Sequence, residues 1–245
     1  MKNLVTILVF AFVAFNVQAE VRSLPFTQTT IQGIDESKTY DEDYFTISKI
    51  TVIEVEVTND LVWAPQYLGF DKTLGEVIMV VDKLIALGKK IWPIIEAGKP
   101  VLNVDMGAPI SVLPRAEDGD AIAFYNMDSW NMPKAKTYKV EYTNGFGMNV
   151  ISFDYTVNFQ YGGKYQGVGS YITGLNVQAS NTTVSWGFNF SATSQLISIV
   201  NHGSLEDPVA GATIRIDYTA KSILRQISTS ESFHVNGNGR IKALQ

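Results

Sequence analysis

Few side chains in this 245-residue chain have types and neighbours suited to covalent or metal chemistry. Ser170 lies among glycines in "GVGSYITG", but a serine hydrolase needs its nucleophile on a tight turn with a histidine in reach. The spacing there is not that of the G-x-S-x-G elbow. His202 and His234 are the only two imidazoles. With no HExxH string and no cysteine, neither a zinc site nor a thiolate nucleophile is specified, and each histidine reads as an exposed or hydrogen-bonded turn or strand residue. The string "AEDGDA" gathers Glu117, Asp118 and Asp120 around a glycine, which makes them candidate calcium ligands or an ordinary acidic turn. Nothing marks a pair of carboxylates for glycoside cleavage. The chain is therefore expected to be non-enzymatic, with no catalytic residue and no cofactor.

Two further groups point to contact with a surface. Tyr161, Tyr165 and Tyr171 flank the glycine-rich string "GGKYQGVG", where amphipathic rings at a hairpin tip suit a glycan or a lipid headgroup layer. The same rings could equally belong to the buried face of two strands. The second group is Lys89, Lys90, Ile91 and Trp92, inside "GEVIMVVDKLIALGKKIWPIIEAGKP". Lysine stems there could snorkel to headgroups with the indole at the boundary.

These groups need elements to carry them. Thr73 and Glu76 match a capping box, and Leu74, Val77, Ile78, Val81, Leu84, Ile85, Ile91, Trp92 and Ile95 fall on one helical face. A long amphipathic helix over 74–97 is expected, kinked or ended at Pro93 and stopped by Gly98 and Pro100. Packed on a sheet, it is a core helix; exposed, it would be an interfacial one. Lys83, Lys89, Lys90 and Asp82 interrupt it too often for membrane spanning.

Elsewhere the apolar period is two. Strands are expected at Phe45 to Val57, at Tyr138 to Thr143, over Ile151 to Tyr161, over Val184 to Ser191, over Thr213 to Thr219, and from Ile223 to Val235 with an unusually polar second face. Asn- and Gly-rich turns such as "TNGFG", "YGGKYQG", "SNTT", "NHGS" and "NGNG" separate them. Eight to ten such strands imply a mainly β protein: a single antiparallel β-sandwich with the amphipathic helix packed against it.

Residues 1–19 read as a secretory signal peptide, with an apolar core and small residues at Val17 and Ala19. A polar leader, 20–44, then precedes a β-sandwich domain at 45–245. Without Lys2, 18 basic side chains face 24 acidic ones, a net charge near −6. That balance argues against nucleic acid, whose binding rests on phosphate neutralisation. A cysteine-free secreted chain must be held by its core, and 46% apolar residues supply one. The expected location is outside the cell or in the periplasm or envelope.

From the helix onward, the order of features resembles the actinoporin-like pore-forming proteins. The matching strings are the helix itself, "PISVLPRAEDGDAIAFYN", "NVISFDYTVNFQYGGKYQGVGSYITGLNV" and "GATIRIDYTAK", about half the chain. The resemblance implies a cytolysin-like protein that meets membrane lipid through Tyr161, Tyr165 and Tyr171 and inserts its helix at the interface; release of the helix from the sandwich would need a compensating gain such as loop docking or assembly into a homo-oligomer. The alternative is an envelope or extracellular module that binds a cell-surface glycan or a protein without membrane activity.

Overall fold

The computed structural model describes residues 20–32, 39–55, 76–101 and 109–244. The expected signal peptide, part of the polar leader, the end of the strand reaching Val57 and the Thr73 capping box lie outside these residues.

The protein is mainly β, built as two antiparallel sheets. In chain order the strands are β1 (Val21–Ser23), β2 (Thr27–Thr30), β3 (Ile47–Val55), β4 (Val77–Val81), β5 (Leu84–Leu87), β6 (Ile91–Glu96), β7 (Lys99–Pro100) and β8 (Ile110–Pro114). They continue with β9 (Lys134–Asn144), β10 (Asn149–Tyr165), β11 (Val168–Val184), β12 (Phe188–Asn201), β13 (Ala210–Ser222), β14 (Arg225–Asn236) and β15 (Ile241–Leu244). One short helix, α1 (Glu42–Phe45), precedes β3. The first sheet runs β1-β3-β9-β10-β11-β8-β5-β4, and the second β15-β14-β13-β12-β6-β7, with β2 also paired to β14.

The sheets share one core because each long strand points alternate side chains inward. Phe153 of the first sheet meets Phe190 of the second at 4.9 Å between ring centroids, and Tyr138 meets Phe233 at 5.0 Å. Isoleucine, valine and leucine from both sheets fill the remainder. The expected alternation at 138–143, 151–161 and 213–219 is realised in β9, β10 and β13, each longer than the sequence pattern suggested.

The expected helix over 74–97 does not form. From Val77 to Pro100 the chain makes β4, β5, β6 and β7 instead. Asp82 (φ 50°), Gly88 (φ 133°), and the pair Ala97 (φ 47°) and Gly98 (φ 76°) turn the backbone between them. Two things favour strands here: the segment is dense in valine and isoleucine, whose χ1 is confined in a helix, and turn residues recur every six to ten positions. So many apolar residues satisfy helical spacing by number alone. β4 and β5 join the first sheet, and β6 and β7 the second, so the chain changes sheets at Gly88–Lys90. Pro93, which has no amide to donate, lies in β6 at a register irregularity opposite β12.

Two other expectations change. β11 ends at Val184 and β12 begins at Phe188, so the strand read across Val184 to Ser191 contains a turn with Trp186 at its tip. The polar leader also contributes to the fold: β1 pairs with β3, β2 pairs with β14, and Arg22 of β1 reaches into the core.

Candidate functional site

The residues expected to contact a membrane or glycan do not form one surface. Trp92 is buried between the sheets, while Ile91, Lys89 and Lys90 are exposed at the start of β6. Tyr171 is buried at 4% exposure, its ring against Gly169, where an added Cβ would lie 2.3 Å away. Tyr161 is half-buried over Gly239, and Tyr165 is half-buried beside Gln166, whose amide donates to its hydroxyl at 3.3 Å. The hairpin tip is therefore a packed corner. Tyr161 and Tyr171 cover glycines, as the buried-face alternative has it, where the family resemblance implies rings turned toward lipid.

Glu117, Asp118 and Asp120 are exposed on a tight connection between Arg115 and Ala121. The Asp118 carboxylate accepts the Asp120 amide at 3.1 Å, and the Arg115 guanidinium donates to the Gly119 carbonyl. These are turn-forming contacts. Among the described residues no three His, Asp or Glu side chains are gathered as a metal site.

The opposite end of the sandwich carries an aromatic surface built from three segments. The first is the β9–β10 turn. Asn144 is fully buried, and its side-chain oxygen accepts the Phe146 and Met148 amides at 3.1 and 3.0 Å, while its nitrogen donates to the Tyr44 carbonyl at 3.2 Å. That anchor holds the turn so that Phe146 and Met148 project outward, 53% and 46% exposed.

The second segment is the β11–β12 turn, joined to the first by the Ser185 amide donating to the Val150 carbonyl at 2.8 Å. Gly187 (φ 81°) lies so close to Phe45 that a Cβ would come within 2.7 Å of its ring. Only glycine fits there, and the turn it permits lifts Trp186 to 77% exposure.

The third segment is α1. Asp41 caps it by accepting the Asp43 and Tyr44 amides, and Gly145 donates to the Asp43 carbonyl at 2.9 Å. Tyr44 Oη donates to the Trp186 carbonyl at 3.1 Å. Phe45 contacts Tyr40, Tyr44, Trp186 and Phe188 with centroids 4.9–6.2 Å apart. Lys49 and Lys221 are exposed near this end, as are Asp41, Glu42 and Asp43, so its charge is mixed. The sequence hint was "TNGFG" and "SWGF", two glycine turns each with an aromatic beside the glycine.

A hydroxyl-lined groove of about 480 Å³ opens where the connection between β1 and β2 crosses the second sheet. Phe26, Asp217, Thr219, Ser228 and Ser230 are among its walls. Asp217 is held by Arg215 at 3.0 Å.

Within the core, Glu231 accepts hydrogen bonds from Tyr155 Oη at 2.6 Å and Tyr218 Oη at 2.5 Å, and Arg22 approaches its second oxygen at 3.3 Å. Burial pushes the Glu231 carboxyl above its ordinary value, outweighing the opposing pull of the two hydroxyls and the guanidinium. Burial first, and then the Glu231 charge, raises Tyr155 and Tyr218, so both keep their protons and remain donors. The carboxylate is closed off at 5% exposure, which suits it to holding the sheets together and not to meeting a substrate. Glu231 shares the parity of Ile227, Phe233 and Val235 in β14, the signal that places it inside.

No protein-family model, curated protein or solved structure matches this chain.

Proposed function

We propose that the protein is a secreted, non-enzymatic β-sandwich that associates with membranes through its aromatic end. The observation that carries this reading is the exposure of Trp186, Phe146 and Met148 on two adjoining turns braced from beneath by α1. Rings and a thioether held outward by a rigid scaffold can enter the headgroup layer without the entropy cost of ordering a loop. The resemblance to actinoporin-like proteins supports docking by aromatic loops; here those loops are the β9–β10 and β11–β12 turns. Transfer of Trp186 and Phe146 into lipid would contribute about 1.5–3 kcal/mol each. The acidic chain and mixed local charge favour a zwitterionic surface over an anionic one.

The test is co-sedimentation with phosphatidylcholine vesicles, with dye release measured alongside to report pore formation. Native protein is expected to sediment, and Trp186→Glu with Phe146→Glu to lose about tenfold or more in affinity while keeping the native circular dichroism. Tyr165→Glu at the opposite end is expected to bind as native does. Absence of sedimentation on zwitterionic and anionic vesicles alike would overturn the reading. Asn144→Ala should weaken docking too, because it frees the turn that presents Phe146 and leaves the Phe146 and Met148 amides and the half-buried Tyr44 carbonyl without this partner, at about 1–3 kcal/mol of stability.

The hydroxyl-lined groove supports glycan binding as a second reading. Phe26 offers a ring, and Asp217 and the Ser and Thr hydroxyls offer hydrogen-bonding partners for sugar hydroxyls. Glycan-array binding that disappears in Asp217→Asn, and persists in the Trp186→Glu variant, is the outcome expected of that reading.

A further inference from the structure

The only two histidines of the chain, 32 residues apart in sequence, meet on the outer side of the second sheet, far from the aromatic end. Their Nε2 atoms are 2.7 Å apart, and the rings stand edge to face at 85° with centroids separated by 4.9 Å. Both positions are set by other contacts. His234 is held through Nδ1, 3.0 Å from Thr213 Oγ1. His202 follows β12, and its amide donates to the Val209 carbonyl at 2.8 Å. Its ring lies on Gly211, where an added Cβ would come within 2.7 Å of Nε2, so the seat exists only because that residue is glycine. Asn201 secures the same loop by accepting the Gly203 and Val209 amides, each at 2.9 Å.

We propose that His202 and His234 form a two-imidazole binding site for a late first-row divalent metal ion, with Cu2+ preferred over Zn2+. Two imidazole nitrogens bonded to one metal at about 2.05 Å, with an angle of roughly 90–109° between them, place their ring centroids roughly 4.5–5.2 Å apart. The observed separation falls within that span, so metal entry needs the rings to tilt without moving the strands. The hydrogen bond between the two Nε2 atoms is replaced by two metal bonds, and the donor ring's proton passes by way of solvent from Nε2 to Nδ1, so both rings ligate as neutral imidazoles.

Thr213 supplies the outer contact that metal-bound histidines commonly have: with Nδ1 of His234 engaged, Nε2 is the nitrogen left for the metal. His202 is exposed and His234 half-buried, which leaves the other coordination positions to water. That ligand set, two nitrogens with oxygens, suits Cu2+, which stands above Zn2+ in the affinity order of such sites. A bound ion would also staple the His202–Val209 loop to β14. That loop receives the hairpin tip through Gly169 donating to Asp207 at 2.9 Å and Ser170 donating to the Pro208 carbonyl at 2.8 Å.

The experiment uses the mature chain made without a histidine tag, titrated at pH 7.5 with CuCl2 and with ZnSO4 by calorimetry, followed by electron paramagnetic resonance of the Cu2+ form. The expected result is one Cu2+ per chain with nitrogen hyperfine structure, weaker Zn2+ binding, and a metal-dependent rise in the unfolding midpoint. His202→Gln and His234→Gln should each weaken binding about 100-fold or more, and Thr213→Val about tenfold. Because both histidines lie at the surface or half-buried, these variants are expected to fold, which circular dichroism checks. Failure of the native protein to bind either metal, or binding unchanged in the His202→Gln, His234→Gln double variant, would overturn the proposal.

Discussion

Glu231→Ala is expected to destabilise the fold by about 3–5 kcal/mol, measured as the loss in unfolding free energy in urea. The substitution removes the acceptor of both Tyr155 Oη and Tyr218 Oη and leaves the Arg22 guanidinium, whose side chain is 10% exposed, without its partner. Arg22 also stands over the rings of Tyr138 and Phe233, 5.5 and 5.9 Å from their centroids, so it cannot leave without uncovering them. Arg22→Ala should cost less. Its loss also frees β1, an edge strand that can fray, and water then reaches the carboxylate.

The pH dependence has a definite sign. A carboxyl whose folded pKa is raised binds its proton more tightly in the native state than in the unfolded one. Its contribution is fully present below the unfolded carboxylate value and is lost as pH rises through the folded value. Relative to Glu231→Gln, which cannot titrate, native protein should thus lose stability as pH is raised from the ordinary carboxylate value through the folded one. A stability difference that grows over that interval would show instead that the Tyr and Arg22 contacts outweigh burial.

Phe190→Ala should cost a comparable 3–5 kcal/mol. The side chain is fully buried where the sheets meet, with Tyr142, Phe153 and Tyr218 at centroid distances of 5.6, 4.9 and 6.3 Å. β12 lies between β13 and β6, so the strands on either side cannot close inward to fill the cavity. Phe190→Leu keeps most of the volume and is expected to cost less than half as much. Equal denaturation midpoints for the alanine and leucine variants would mean that the core relaxes around the site, contrary to this account.

Several elements were legible in the residue order because strand alternation is a local signal. Tyr138, Val140 and Tyr142 against Lys139, Glu141 and Thr143 could form only a half-buried strand, and that is what β9 is. The stretch from Val77 to Glu96 was not legible in that way. Its apolar residues fit a helix and a set of short strands about equally, and the choice went to strands because β8 and β12 present open edges to β5 and β6. Backbone hydrogen bonding to a distant strand is a tertiary event, and no window of local sequence contains it.

The same distinction separates the aromatic residues. Tyr171 and Trp186 look alike in sequence, each beside a glycine turn, yet one lies under the fold at 4% exposure and the other stands above it at 77%. By itself the sequence determined the β class, the exclusion of cysteine chemistry, the acidic balance and the turns that end most strands, since each depends on composition or on residues within a few positions. Only the tertiary structure decided which rings face solvent, that Glu231 meets Arg22 across 209 positions, and that His202 and His234 touch across 32. Those pairings follow from strand register and sheet order, which depend on packing summed over the whole chain.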